Sequence, residues 1–153
     1  MTVVGITGHR ALDDGALIRD EIDLALGELD PPLVGVSSLA AGADQIFAAA
    51  ILAAGGTLEV IVPGHDYRAS LDTVARTIFD RLVDAAATVT TLDLPQVGHD
   101  AYLAAGLAML DRCDVLFAAW DGEPSRGTGG TADLVRRART LGIPVRIIAA
   151  RRA

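Results

Sequence analysis

Four segments hold residues whose types and spacing could do chemistry. The first, Ile6-Thr7-Gly8-His9-Arg10, follows an apolar run. Gly8 would let backbone approach a ligand there, and Arg10 could clamp a phosphate through two parallel hydrogen bonds. A plain turn with solvated His9 and Arg10 accounts for the same residues. The segment lacks the glycine pattern of the GxGxxG dinucleotide fingerprint. The second segment is Ser37-Ser38-Leu39-Ala40-Ala41-Gly42-Ala43-Asp44. Its small residues let a helix N-terminus come close to a sheet, where free N–H groups suit an anion. Ser37 and Ser38 could cap that helix or hold a phosphate oxygen. Asp44 falls in the first turn, where complementing the helix dipole explains it equally well.

The third segment, Val62-Pro63-Gly64-His65-Asp66-Tyr67, reads as a surface turn, with His65 or Tyr67 as the side chains that could face a ligand. The fourth is the richest. An apolar run, Val115-Leu116-Phe117-Ala118-Ala119, leads through Trp120, Asp121 and Gly122 to Gly127-Thr128-Gly129-Gly130-Thr131-Ala132-Asp133. Three glycines and two threonines opening a helix build a nest of N–H groups and hydroxyls that suits a nucleotide phosphate. His9, His65 and His99 share no short metal spacing, so no metal site is expected. Cys113 precedes an apolar strand and reads as an inert buried thiol.

These segments need elements to hold them. Short, nearly continuous apolar runs at Val3–Thr7, Leu33–Ser37, Leu58–Val62, Val89–Leu92, Val115–Ala119 and Val145–Ile148 read as strands buried on both faces. Between them lie helix-period stripes: Ile18, Ile22, Leu26 and Leu29; Leu71, Val74, Ile78 and Leu82; Leu103, Leu107 and Leu110; Leu134, Ala138 and Leu141. Gly142 stands where a helix should end, with Pro144 opening the last strand. The alternation predicts a three-layer α/β/α Rossmann-like sandwich around a mainly parallel sheet of about six strands. Such sheets bind ligands at the carboxyl ends of their strands, near the switch in strand order. Asp44–Ala54 is apolar nearly all round, which predicts either a central buried helix or a helix covered by a second subunit, hence a homodimer.

Composition narrows the function. The 153 residues suit one domain, residues 1–153. All thirteen basic residues are arginine and there is no lysine, which removes a Walker A lysine, a Schiff base and a pyridoxal phosphate anchor. The net charge of −7 and only six aromatic residues weigh against nucleic acid as a partner. The charge is uneven: six Arg against nineteen acids in residues 1–125 give −13, and seven Arg against Asp133 in residues 126–153 give +6. No apolar run reaches a membrane span, no signal-peptide pattern opens the chain, and one cysteine cannot form an internal disulfide. A cytoplasmic protein is expected.

Together the motifs resemble the SLOG superfamily, which includes the Lonely Guy phosphoribohydrolases and the Rossmann-like domain of DNA-processing protein A. Ser37–Asp44 is similar to the SGLAxGxD stretch of the DNA-processing branch, and Gly127–Thr131 to the glycine-threonine phosphate loop of the Lonely Guy branch. Asp114–Thr131 also resembles nucleoside 2-deoxyribosyltransferase-like proteins. The resemblance implies a nucleotide or nucleotide-like ligand, with Gly8, Arg10, Ser38, Gly42, Asp44, Gly129, Gly130 and Thr131 lining its site, and frequent dimerisation. No cofactor is expected. One departure matters: the Lonely Guy pattern PGGxGTxxE places a catalytic glutamate three residues after its threonine, and that slot here is Leu134.

A nucleotide-binding protein, acting as a sensor, is therefore expected. The alternative is a hydrolase or transferase acting on the N-glycosidic bond of a nucleoside 5′-monophosphate, for which Asp133 and Asp121 are the candidate catalytic acids beside Asp44. Asp133 stands one position early and is one methylene short, so little base release is expected.

Overall fold

The computed structural model describes residues 1–10, 14–94, 98–124 and 130–150. The elements alternate as β1 (Thr2–Gly8), α1 (Gly15–Gly27), β2 (Leu33–Ser37), α2 (Ala43–Ala53), β3 (Thr57–Val62), α3 (Tyr67–Ser70), α4 (Thr73–Ala85), β4 (Thr88–Thr91), α5 (His99–Arg112), β5 (Val115–Trp120), α6 (Thr131–Thr140) and β6 (Val145–Ala149). Every predicted strand is present. All six pair in parallel, in the order β4-β3-β2-β1-β5-β6. Four strands are laid down in one direction, then α5 carries the chain back across the sheet so that β5 pairs with β1. The order therefore switches between β1 and β5, and their carboxyl ends form the edge where open α/β sheets hold ligands.

The two faces are covered by different helices. Ile18, Ile22 and Leu26 of α1 pack with Phe47 and Ile51 of α2 against Val4, Ile6 and Phe117. Met109 and Leu110 of α5 pack with Leu134 and Ala138 of α6 against Val3, Val36 and Leu116. Phe79 and Leu82 of α4 cover β3 together with Tyr67. Fully burying one such side chain stabilises the fold by roughly 1.5–3 kcal/mol.

Helix α2 is the central buried helix of the two alternatives. It lies between α1 and α4 on the sheet, with Phe47, Ala48, Ala50 and Ile51 fully buried inside its own chain. Its apolar circumference therefore gives no reason to invoke a second subunit.

Several stripe positions are corrected. Val74 is 71% and Leu141 59% exposed, because α4 turns Ala75 and Phe79 inward and α6 ends at Leu141. In α5 the inner face is Ala101, Ala105, Gly106 and Met109, with Leu103 and Leu107 only half-buried. Strand β4 is the sheet edge and exposed throughout, not buried on both faces. Helix α6 ends in a Schellman pair: the Ile143 N–H donates to Ala138 O at 2.9 Å and the Gly142 N–H to Arg139 O at 3.1 Å. Among the described residues, no helix is long and apolar enough to cross a membrane.

Candidate functional site

The site is built where β1 ends against the start of α2. Gly8 is required here by packing: a Cβ on it would lie 2.5 Å from Ala43 Cβ and 2.9 Å from Ala119 Cβ. Gly42 is required by backbone. Its φ is +83°, and a Cβ would lie 2.5 Å from both His9 O and Arg10 O. The Ala43 N–H donates to His9 O at 3.3 Å, so the start of α2 is tied directly to the β1 exit.

The β2–α2 turn is held in a strained form. Buried Leu39 sits at φ +59°, a left-handed conformation costly for a non-glycine residue. Three groups fix it: the Leu39 N–H donates to Ser37 Oγ, Ser37 Oγ donates to Asp44 O, and the Gln45 amide donates to Leu39 O and Ala75 O. Ser37, completely buried, thus holds the turn and is not presented to a ligand. Neither serine caps α2, whose N-cap is Gly42 with no side-chain cap.

Asp44 is the unusual group. It is buried, and its Oδ2 accepts only a long hydrogen bond from the Ala40 N–H, at 3.3 Å. Burial pushes its carboxyl up to about 7, against the smaller opposing pull of that N–H and of the Arg10 guanidinium. Arg10 itself is exposed and lies 4.2 Å above the centre of the Tyr102 ring, a cation–π contact. Tyr102 meets Tyr67 edge-on at 6.2 Å between centroids. Burial and the nearby Asp44 charge raise the Tyr67 hydroxyl well above its ordinary range.

These residues surround a cavity of about 110 Å³ at the carboxyl edge. Thr7, Gly8 and Arg10 line it from the β1 exit, Ser38 and Asp44 from the second segment, Tyr67 and Tyr102 from α3 and α5, and Gly130 and Thr131 from the start of α6. The buried hydroxyls of Thr7 and Thr131 are 3.4 Å apart. The N–H groups that open α6 lack intrahelical acceptors. A second cavity, of about 280 Å³, shares Arg10, Ala40, Tyr67 and Tyr102 with the first and extends beneath Ser70, Asp72 and Ala75.

Not every expected residue is brought here. Gly127, Thr128 and Gly129 lie outside the described residues. His9 and Asp121 face each other instead: the Asp121 N–H donates to His9 Nε2 at 3.1 Å, and Asp121 Oδ1 lies 3.3 Å from the same nitrogen. Neither lines the first cavity. Asp133 is buried but pairs along its own helix with Arg136 and, at 3.3 Å, with Arg137, and it too is absent from the lining. Its geometry gives no support to a catalytic role. Tyr102 carried no sequence signal, since α5 crosses the sheet to reach the site. Tyr67, read as a turn residue, is in fact buried against the cavity. Among the described residues no group of three His, Cys, Asp or Glu could hold a metal. Burial pushes the Cys113 thiol up to about 11, as an inert buried cysteine requires.

No protein-family model and no curated protein matches the sequence. Solved structures do. DNA processing protein A from Streptococcus pneumoniae matches with a TM-score of 0.71 at 21% identity, over 96% of this chain and 50% of that one. The Helicobacter pylori protein of the same name, described for its single-stranded DNA binding mode, matches at 0.71 and 18% identity, over 95% and 64%. The chain shares the Rossmann-like α/β fold of these proteins. A molybdenum cofactor carrier protein from Chlamydomonas reinhardtii matches the fold more loosely, with a TM-score of 0.54 at 16% identity, over 95% of this chain and 75% of that one. The chain spans half the length of the S. pneumoniae protein. That a protein of this fold binds single-stranded DNA runs against the expectation that nucleic acid is an unlikely partner.

Proposed function

We propose that residues 1–153 act as one domain that binds a nucleotide at the carboxyl edge of the sheet, without turning it over efficiently. The observation that carries this reading is the single cavity that collects the α6 N-terminus, Thr7, Thr131 and Arg10 at the switch in strand order. Positive helix ends, hydroxyls and a guanidinium are the groups that hold a phosphate. Ligand cavities usually exceed about 300 Å³, so the first cavity suits a sugar phosphate and the adjoining one the base. Asp133, neutralised by two arginines, supports binding over cleavage.

A second reading rests on Asp44. A buried carboxyl near 7 suits general acid–base work at an N-glycosidic bond.

A thermal-shift panel of nucleoside mono-, di- and triphosphates, ADP-ribose and dinucleotides tests the first reading. At least one nucleotide should stabilise the protein. Gly130→Asp, which keeps a good N-cap residue but puts a negative charge at the phosphate position, should abolish that shift without unfolding the chain. Wild-type shifts that persist in Gly130→Asp would overturn the site. Chromatography after long incubation separates the two readings: turnover near one per second would favour the hydrolase.

A further inference from the structure

Four polar residues that line the first cavity are more than nine-tenths buried: Thr7, Thr131, Asp44 at 8% and Tyr67 at 2% exposure. Thr7 and Thr131 meet each other, whereas Asp44 and Tyr67 are short of partners. Asp44 Oδ2 has the Ala40 N–H, but Oδ1 and the Tyr67 hydroxyl have no hydrogen-bond partner among the described residues. Both residues line the cavity, so a ligand there can supply the hydrogen bonds that the protein does not. The nearby strained turn, held by Ser37 and Gln45, fixes the stretch that leads into Asp44.

The chemistry of the two groups selects the ligand's end. Above pH 7, where Asp44 is ionised, its carboxylate accepts hydrogen bonds and gives none, so it requires O–H or N–H donors and repels phosphate. A tyrosine hydroxyl both donates and accepts. A vicinal diol answers both at once, because one hydroxyl can donate to the carboxylate while the other exchanges a hydrogen bond with the phenol. The phosphate end is drawn to the start of α6, where Thr131 also lines the cavity.

We infer that Asp44 and Tyr67 form a ribose-reading subsite, so that the cavity takes a ribonucleoside 5′-phosphate in preference to its deoxy counterpart. This rests on the reading of the cavity as a nucleotide site. It adds a direction, with phosphate at α6 and the sugar hydroxyls at α2 and α3, and it makes Asp44 a specificity residue.

The test uses calorimetric titration of the full chain with the four common ribonucleoside 5′-monophosphates, their 2′-deoxy counterparts, ribose 5-phosphate and 2-deoxyribose 5-phosphate. Wild type should bind the ribo member of at least one pair about tenfold or more tightly than its deoxy partner, the size expected for a hydrogen bond to a buried charge. In Asp44→Asn, which keeps shape and loses the carboxylate, the preference should fall to about twofold or less while deoxy affinity stays within about threefold. Tyr67→Phe keeps the buried ring and should lower the preference less. Equal binding of ribo and deoxy members by wild type overturns the inference and leaves the nucleotide site standing. So does a preference unchanged in both folded variants, or one that follows the base and not the sugar. Failure of every probe to bind overturns both readings.

Discussion

Asp44 and Asp133 obey the same local rule and come to opposite ends. Each sits in the first turn of a helix that opens with a glycine N-cap, and each is buried, at 8% and 7% exposure. Asp133 is met by Arg136 and Arg137 from the following turn of its own helix, so its charge is answered within α6. Asp44 has no arginine on α2; its nearest cation is Arg10, whose guanidinium lies over Tyr102. One aspartate is structural, and the other is left under-satisfied in a cavity. A first-turn carboxylate is therefore neither helix-dipole complement nor site residue by position; the residues around it decide.

The glycines that start the two helices offer the largest break in this comparison. Gly42 has φ +83° and no room for a Cβ, whereas Gly130 has φ −71°, which other residues adopt freely. Gly42→Ala should lower stability by about 3 kcal/mol or more, read by denaturant unfolding, because both strain and backbone overlap oppose it. Gly130→Ser should stay within about 1 kcal/mol of wild type.

Asp44→Asn should have the next largest effect, with a pH signature. The folded carboxyl sits at about 7, above its unfolded value of 3.8. The contribution of Asp44 to stability is thus fully present below pH 3.8 and is lost as pH rises through 7. Arg10, Tyr67 and the Ala40 N–H surround this group. Asp44→Asn should therefore be more stable than wild type by ~2–4 kcal/mol at pH 8, with the gain disappearing near pH 4. Thermal melts at the two pH values check it. A site residue that costs stability is the usual mark of a functional position.

Asp133→Asn should act least, and oppositely. Its arginine partners are 72% and 41% exposed, so removing the charge should cost about 1 kcal/mol or less. Nucleotide affinity should not change. A tenfold loss of binding in Asp133→Asn would show that the two aspartates do not differ as described.

Much of the fold was legible because parallel strands tend to read as nearly continuous apolar runs. Edge strand β4 read like the rest, since Val89 and three threonines suit a strand whether or not it is covered. The inner face of α5 was misread because leucines dominate the pattern while small Ala101, Ala105 and Gly106 allow the closer approach. A Cβ on Gly106 would lie 2.6 Å from Leu134. Of the residues that line the first cavity, Gly8, Arg10, Ser38, Asp44, Gly130 and Thr131 were legible from strand-end position. Tyr102 was not, because only the return crossing of α5 brings it beside Arg10. The roles of Ser37 and Asp133 depend on hydrogen-bond partners, which composition and spacing do not specify.

The most direct test is an amide-resolved NMR titration with ribose 5-phosphate, a probe that carries no base. Shifts should appear at Ala40, Asp44, Gly130, Thr131 and Ala132, with Arg136, Arg137 and Arg139 unmoved. Perturbation confined to the arginine-rich turns of α6, or none at any residue of the cavity, would contradict a sugar-phosphate site held between Asp44 and the start of α6.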